Sequence, residues 1–290
     1  MTHFQHFAAI DWSGAVGERL RGIAVAMCTR GSAAPVLVRP GHVWSRLEIV
    51  EWLTRDMPAD TLVGLDLGPA LPFADHGAYF PGWRDSPPDA RALWASVERI
   101  SANDPHLAVS SFVDHPEVAR HFRRHGGRLG DRHPGGAGRL RVTELAQREQ
   151  GLNPYSNLNL VGAAQVGKSS LTGMRVLHRV QDRLPIWPFD PLPRQGSLIV
   201  EIYTSIAALA AGRAKGRTKM VTMEALNAAL THPAIASDPI LGHGAIDDHK
   251  SDALLTSAWL RAVADTPSLW RPAPLSPILA ATEGWTFGCI

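Results

Sequence analysis

The sequence is short of cysteine and of long apolar runs, and both shortages exclude classes of protein. Its two cysteines, Cys28 and Cys289, lie in apolar strand-like segments without metal-ligand spacing. We therefore expect reduced core thiols rather than a disulfide framework or a zinc site. No run reaches the roughly eighteen uncharged apolar residues of a membrane-spanning helix, and the start, MTHFQHFAAIDWSG, lacks the pattern of a signal peptide. These observations predict a cytoplasmic protein with no membrane partner.

Neither sign of charge predominates, since the formal net charge is only +2. So weak a bias does not identify nucleic acid as a partner without local clustering. Lysine is scarce, because four of the 29 basic residues are lysines and the rest are arginines, which suit bidentate contacts to phosphates or carboxylates. Apolar residues are abundant: they make up 45% of the 290 residues, which predicts one large folded domain or a domain with an insertion.

The first part of the chain contains strand patterns followed by a helix pattern. The apolar run Phe7 to Asp11, the alternating segment Arg21 to Cys28 and the stretch Pro35 to Trp44 predict three strands. Residues 45–57, SRLEIVEWLTRDM, space their apolar side chains three and four apart, which predicts a helix with one apolar face. Thr61 to Gly68 is an apolar run typical of a central strand covered on both faces.

The pattern changes between Leu71 and about Gly196, where prolines, glycines and tryptophans separate short helical stretches. Regular packing resumes with a predicted strand at Leu198 to Tyr203, followed by a helix-like segment, IAALAAG. The longest predicted helix covers residues 247–264. We expect an edge strand over residues 280–290.

The order of these elements predicts the fold. A hairpin meander of three strands is followed by a helix and a strand, then by an insertion, a further strand and helix, and a long C-terminal helix. This is the order of the RNase H-like fold. We therefore predict an α/β protein with an RNase H-like mixed sheet flanked by helices. Residues 1–70 and 197–290 would form the core, and a mainly helical insertion, residues 71–196, would pack on it.

Acidic residues interrupt the predicted apolar elements. Asp11 ends the first strand, Asp66 lies in the fourth, Glu201 lies in the strand after the insertion, and Asp248 and Asp252 share one helix face. A carboxylate buried among apolar residues costs several kcal/mol unless a partner offsets it. Converging carboxylates therefore predict a Mg²⁺ or Mn²⁺ site. Two such ions about 4 Å apart would activate water and stabilise the leaving oxygen of a phosphodiester.

Each acid also has a simpler interpretation. Asp11 is typical of a turn, Asp66 of a strand end that caps the next turn, and Asp248 of the first turn of a helix. Glu201 could pair with an arginine in the core. The coincidence of these acids at positions where one fold concentrates metal ligands favours the shared site.

The segment Gly162 to Ser169 matches the phosphate-loop pattern G-x-x-x-x-G-K-[ST] letter for letter. That pattern has a physical meaning only where a buried strand delivers the loop, so that backbone N–H groups surround a phosphate. Only the short, polar-flanked NLNLVG precedes it. We therefore interpret the segment as a loop of a nuclease-like cleft, in which Lys168 and Ser169 contact a nucleic-acid phosphate, or as a packing loop. A nucleotide-hydrolysing site is the alternative.

A second basic segment, Gly212 to Lys219, concentrates Arg213, Lys215, Arg217 and Lys219. Counterion release from such a patch would favour a polyanion, although a solvated loop is the commoner meaning of clustered charges. We predict that Arg213 and Lys215, together with Ser13 in the turn after Asp11, contact the phosphate of the substrate.

Five segments together resemble domain of unknown function family 429, which is described as predicted nucleases with an RNase H-like fold. They are AIDWSGA at 9–15, VGLDLGPALPF at 63–73, VGAAQVGKSSLTGMRVLHRV at 161–180, VEIYTSIAAL at 200–209 and DHKSDALLTSAWL at 248–260. The layout is also similar to that of Holliday-junction resolvases, with acids on the first strand (Asp11) and on the strand after the first helix (Asp66), and a His-x-x-Asp pair on the last helix (His249 and Asp252). Those resolvases carry Glu where this chain has Asp66.

The acids and the resemblance together imply a metal-dependent nuclease that acts on DNA or RNA. The predicted site comprises Asp11, Asp66 and Asp252 as metal ligands, Asp248 or His249 as a further ligand or proton carrier, and Glu201 in or next to the ligand shell. Two alternatives stay open. One is an actin-like or sugar-kinase-type phosphotransferase, in which DWSG and DLGP contact phosphate. The other is a catalytically silent nucleic-acid-binding module.

Overall fold

The computed structural model describes residues 2–161, 166–216 and 219–290. Within them, six strands form one sheet: β1 (His6–Asp11), β2 (Ala24–Thr29), β3 (Val36–Leu37), β4 (Thr61–Leu65), β5 (Ile186–Trp187) and β6 (Leu198–Glu201). Their order across the sheet is β3-β2-β1-β4-β6-β5. β2 is antiparallel to both β1 and β3, whereas β1, β4, β6 and β5 run parallel to their neighbours.

The described residues also form ten α-helices. They are α1 (Arg46–Glu51), α2 (Ala90–Ile100), α3 (Ser110–Asp114), α4 (Pro116–Ala119), α5 (Val142–Glu149), α6 (Val166–Val180), α7 (Thr204–Ala210), α8 (Met223–Leu230), α9 (Asp248–Val263) and α10 (Pro277–Thr282). A π-helical turn, Trp52–Asp56, continues α1, and 3₁₀ turns occur at Pro105–Leu107, His125–Gly127 and Pro267–Trp270.

Strand alternation separates two hydrophobic cores on the two faces of the sheet. On one face, Ala8 and Ile10 of β1 lie in a core with apolar residues of α1, α2 and α6. We call this the α6 face. On the opposite face, Phe7 and Ala9 of β1 lie in a core with α7, α8 and α9, and we call this the α9 face. The prediction of a mixed sheet flanked by helices is therefore confirmed.

The segment predicted as an insertion contributes directly to the α6 face. Its helices α2 and α6 contact each other, and their residues Leu93 and Leu171 share one core with Ile10 of β1. β5 also lies in this segment and pairs with β6 through Ile186 and Ile199. The apolar residues between 71 and 196 are thus buried against the same sheet as the strands of the predicted core.

The expectation of an edge strand over residues 280–290 is wrong. α10 runs to Thr282, because the Ser276 side chain accepts a backbone N–H of the first turn at 3.2 Å and Pro277 occupies the first helical position. The following segment makes an isolated bridge to β6 at Thr286. Its alternate side chains are buried in the core of the α9 face rather than along a strand ladder.

Cys28 and Cys289 are both buried free thiols, as the sequence predicts. Burial raises the pKa of each thiol to about 11, so both are protonated at neutral pH. In the described part of the chain, no helix combines the length and the apolar composition that a membrane crossing requires.

Candidate active site

Asp11 and Asp66 lie at the adjacent carboxyl ends of β1 and β4. These strands are parallel with Ile10 opposite Leu65, and the Asp66 N–H donates to the Ile10 carbonyl at 2.9 Å. By strand alternation, both carboxylates fall on the α9 face. Asp11 is 6% exposed because it is the last residue of a strand that is buried on both faces.

α9 brings three more predicted site residues to this edge of the sheet. Its buried face packs on β1 and β2. Asp247 caps the helix by accepting the His249 N–H at 3.0 Å. Asp248, His249 and Asp252 therefore lie in the first two turns, with Asp248 and Asp252 one turn apart on the same side.

His249 links α9 directly to β1. Its Nδ1 lies 3.3 Å from Oδ2 of Asp11. The hydrogen bond to Asp11 raises the pKa of His249 to about 9, so the ring is an imidazolium at neutral pH. Its Nε2 lies beside the turn that carries Ser13, since a side chain added at Gly22 would come within 3.4 Å of both residues. The predicted phosphate contact Ser13 is thus next to the acid cluster.

Lys219 belongs to the basic segment recognised in the sequence but was not among the predicted site residues. Its Nζ forms an ion pair with Asp248, and this contact lowers the pKa of Asp248. The ammonium group also acts on Asp11 and Asp252, because its charge favours the ionised form of both carboxyls. Among the described residues of its segment, Lys219 is therefore the basic residue that reaches the acids.

The side chains of the predicted phosphate contacts Arg213 and Lys215 have other neighbours. The Arg213 guanidinium donates to the Lys219 carbonyl at 3.4 Å, and the Lys215 ammonium lies beside Gly151, just after α5. Arg217, in the same segment, lies outside the described residues. Within the described residues, neither Arg213 nor Lys215 forms an ion pair with the acids, whereas Lys219 does.

The pKa values of Asp11, Asp66 and Asp252 are all raised. Burial is the largest cause for each of the three. The negative charges of Asp11 and Asp252 add to the effect on Asp66, and Asp11 and Asp248 add to the effect on Asp252, whose pKa rises to about 7. The three carboxyl groups therefore form one cluster whose members repel one another when ionised.

Asp247, Asp248 and His249 could hold a metal ion, because one ligand atom from each lies within 4.8 Å of the other two. In the part of the chain that the structure describes, this is the group of three that meets that spacing. Asp11, Asp66 and Asp252 are not members of it. Of the residues predicted from the sequence, this group contains Asp248 and His249, which were the alternatives for a further ligand.

Glu201 is engaged in a buried ion pair. Its carboxylate accepts two hydrogen bonds from the Arg141 guanidinium, at 2.5 and 3.0 Å, and a third from the Thr286 hydroxyl at 2.9 Å. Arg141 also donates to Glu144 at 3.0 Å. By strand alternation Glu201 falls on the α6 face, although its charge still reaches Asp66 and adds to the rise in the pKa of that carboxyl. The sequence left open whether Glu201 pairs with an arginine in the core, and in the structure it pairs with Arg141.

The context of the phosphate-loop pattern differs from that of a nucleotide-binding loop. Residues 152–161, which precede it, contain an isolated bridge at Asn159 and no extended strand. The Gly167 N–H donates to the Asn159 carbonyl at 3.0 Å, so it is not directed at a ligand. Residues 162–165 of the pattern lie outside the described residues.

Lys168 and Ser169 lie in the first turn of α6, under the loop that follows β1. A Cβ atom at Gly14 would lie 2.5 Å from the Ser169 nitrogen and 2.7 Å from the Lys168 carbonyl carbon. Glycine is therefore required at position 14 for the loop to pack this closely. Trp12 fixes the same contact by donating its indole N–H to Thr172 at 3.1 Å.

A cleft of about 200 Å³ opens beside the acid cluster. Its walls include Trp12, Asp66, Arg141, Tyr155, Ser169 and Tyr203. It therefore joins the carboxyl end of β4 to the first turn of α6 and meets the acid cluster at Asp66. The predicted residues Asp66, Glu201 and Ser169 all line it, although they come from three separate regions of the sequence.

Comparison with known proteins adds no information about the function of the cleft. No family model, curated protein or solved structure matches the chain. A function has to be inferred from the charges, contacts and surroundings of the cleft residues themselves.

Proposed function

We propose that the chain is a Mg²⁺- or Mn²⁺-dependent nuclease that hydrolyses nucleic-acid phosphodiester bonds. One observation carries the proposal: Asp11, Asp66 and Asp252 lie near one edge of the sheet, where burial and the charge of neighbouring acids raise the pKa of these carboxyls. A divalent cation is a common partner for several carboxylates buried together.

We assign the sheet to the RNase H-like class. The strand order β3-β2-β1-β4-β6 supports this assignment, because three antiparallel strands are continued by two parallel ones. Ligands of open sheets bind at the carboxyl ends of parallel strands, which is where Asp11 and Asp66 lie. The family that the sequence resembles is described with the same fold. β5 would be an addition at the outer edge.

The donor set fits a hard divalent cation. Carboxylate oxygens are the ligands that Mg²⁺ and Mn²⁺ prefer, and Asp11, Asp66 and Asp252 would hold the ion with Asp248 at the rim. The chemistry that such an ion supplies when bound is activation of water and stabilisation of the leaving oxygen. His249 is a weaker candidate ligand at neutral pH, because its pKa of about 9 keeps it protonated.

His249 would serve as the proton carrier. The imidazolium is held by Asp11 and lies beside Ser13, so it has a proton to donate to the leaving oxygen as the phosphorus–oxygen bond breaks. Lys219, paired with Asp248, adds a positive charge at the same rim. Ser13 and Ser169 supply hydroxyl groups for the phosphate oxygens.

The nucleotide-binding alternative has less support. A phosphate loop needs backbone N–H groups that are free to bind phosphate, whereas the Gly167 N–H is used by Asn159 and the loop at Gly14 covers the backbone of Lys168 and Ser169. A catalytically silent nucleic-acid-binding protein would keep the same surface without turnover, and only an activity measurement separates it from a nuclease.

The test is cleavage of labelled single-stranded, double-stranded and branched DNA and RNA with Mg²⁺, Mn²⁺ or EDTA. We expect metal-dependent cleavage of at least one substrate by the wild type. Asp11→Asn should reduce the rate by more than about a hundredfold, the upper range for outer-shell partners of a metal. Asp56→Asn is the matched control. Asp56 is an exposed acid that lies before the amino end of β4, whereas Asp66 follows its carboxyl end. Absence of cleavage by the wild type, or equal rates for wild type and Asp11→Asn, would overturn the proposal.

A further inference from the structure

A second cavity, of about 370 Å³, lies directly beside the cleft. The two share a wall, because Pro154 and Tyr155 line both. The remaining walls come from the segment before the phosphate-loop pattern, from α5 and from the loop that precedes α5. We call the cavity the basic pocket and define it by Arg123, His133, Arg148, Asn153 and Tyr155.

The charge of the basic pocket is opposite to that of the acid cluster. Arg123 and Arg148 are exposed, and neither forms an ion pair within residues 2–161, 166–216 and 219–290. No carboxylate of those residues lines the pocket. Two arginine forks without acidic partners in a concave site are suited to bind phosphate oxygens.

His133 adds a hydrogen-bond donor to the same wall. Burial and the charge of Arg123 lower its pKa, so the ring is neutral at neutral pH. Its Nδ1 accepts the Gly135 N–H at 3.0 Å, which leaves the ring proton on Nε2. A neutral imidazole in this tautomer donates to an oxygen without adding charge.

Tyr155 provides an aromatic surface at the boundary between the two cavities. The residue is 52% exposed, between the buried residues Pro154 and Ser156. Its hydroxyl is near enough to Tyr203, on the cleft side, to affect the pKa of that phenol. An exposed ring between an acidic and a basic site is placed to stack on a nucleobase.

We propose that the basic pocket binds the nucleotide next to the scissile phosphate of a single-stranded nucleic acid. Arg123 and Arg148 contact its phosphate, and Tyr155 stacks on its base. The inference rests on the proposed function and adds the strand form of the substrate. A single strand is required because the bases of a duplex are already stacked on one another and offer no free face to Tyr155.

The test measures binding separately from cleavage. Fluorescence anisotropy in EDTA compares a labelled strand of about 12 nucleotides, within the usual site sizes for single strands, with its duplex and with an abasic strand of equal length. The variants are Arg123→Gln, Arg148→Gln, Tyr155→Ala and Tyr155→Phe. Arg183→Gln is the matched control, because Arg183 lines another arginine-rich cavity just beyond the opposite end of α6.

We expect the wild type to bind the single strand more tightly than the duplex or the abasic strand. Tyr155→Ala should weaken single-strand binding by about tenfold, while Tyr155→Phe retains it. Each of the two pocket arginine variants should weaken binding and reduce the slope of log K against log salt by about 0.7, the value for one phosphate contact on a single strand. Arg183→Gln should change neither quantity.

Equal binding of single strand, duplex and abasic strand would overturn the inference, as would unchanged binding by the pocket variants with their folds verified by circular dichroism. The two proposals fail differently. Binding with the expected variant effects but no metal-dependent cleavage would contradict the nuclease and leave the pocket in place. Cleavage whose KM is the same in wild type, Arg148→Gln and Tyr155→Ala would contradict the pocket alone.

Discussion

His249 Nδ1 lies 3.3 Å from Oδ2 of Asp11, although 238 positions separate the two residues in sequence. The contact exists because α9 packs along β1 and begins at the carboxyl end of that strand. It balances one charge of the acid cluster and keeps His249 protonated at neutral pH. Asp11 and His249 are therefore in hydrogen-bond contact, each affects the pKa of the other, and both take part in the proposed proton transfer.

The coupling predicts a shift in the pKa of His249 when Asp11 loses its charge. In EDTA, the wild-type imidazole should titrate with a pKa of about 9. In Asp11→Asn the pKa should fall towards the ordinary value of about 6.5, because the anion that favours the imidazolium is gone. NMR titration of the histidine ring protons, with His249→Asn to assign the signal, measures it. The same pKa in both proteins would show that Asp11 does not act on His249.

Asp252→Asn should stabilise the metal-free protein at pH 8. The pKa of Asp252 is raised from 3.8 to about 7, so the folded state binds more protons than the unfolded state between these values. Stability contributed by this group therefore falls as pH rises from about 4 to 7. Removing the charge should raise the free energy of unfolding at pH 8 by at least about 1 kcal/mol, as measured by urea denaturation in EDTA.

Asp248→Asn is the matched control on the same helix. The pKa of Asp248 is lowered by Lys219, so its ionised form is favourable in the folded state and its removal should not stabilise the protein. Mg²⁺ should raise the melting temperature of the wild type at pH 8 but not that of Asp252→Asn. A metal-free Asp252→Asn protein less stable than the wild type at pH 8 would contradict this account.

Arg141→Met should strongly destabilise the fold. The substitution leaves Glu144 and Glu201 buried without their shared cation, which typically costs about 3–5 kcal/mol. Asp56→Asn breaks a more exposed pair with Arg39 and should cost less than about 1 kcal/mol. Urea unfolding measures both, and comparable losses would show that the buried network is not a main support of the cleft.

His121 should make the fold sensitive to acid. The ring is buried against Phe80, and burial together with the charge of Arg139 lowers the pKa of His121 to about 4. The unfolded chain, with an ordinary pKa of 6.5, binds more protons below that value, so stability is full above pH 6.5 and falls towards pH 4. The loss reaches roughly 3 kcal/mol.

His121→Phe keeps the aromatic contact and removes the titration. Its unfolding free energy should therefore fall less than that of the wild type between pH 7 and 4.5, whereas His125→Gln, at an exposed position, should follow the wild type. Identical pH dependence in wild type and His121→Phe would exclude His121 as the source.

Local sequence patterns were sufficient for much of the sheet and for part of the site. Apolar runs that end in an acid or contain one located Asp11 and Asp66, and helical spacing placed Asp248 and Asp252 on one side of α9. Their positions at the sheet edge follow from parallel pairing, which the order of strands and helices implies.

The features that the sequence did not predict depend on strand register and on contacts between residues that are far apart in the sequence. Glu201 falls on the α6 face because Val200, not Glu201, pairs with Gly64, and a shift of one residue would have reversed this. The ion pair of Lys219 with Asp248 is set by tertiary packing, so composition alone did not single out Lys219 within its basic segment. The Gly167 N–H is used by a loop carbonyl, which no motif pattern records.

The most direct measurement of the central claim is the anomalous scattering of Mn²⁺ in crystals grown at pH 8. We expect a peak between the carboxylates of Asp11, Asp66 and Asp252, and no such peak in Asp66→Asn crystals. A peak held only by Asp247, Asp248 and His249, or none at all in the wild type, would contradict the account.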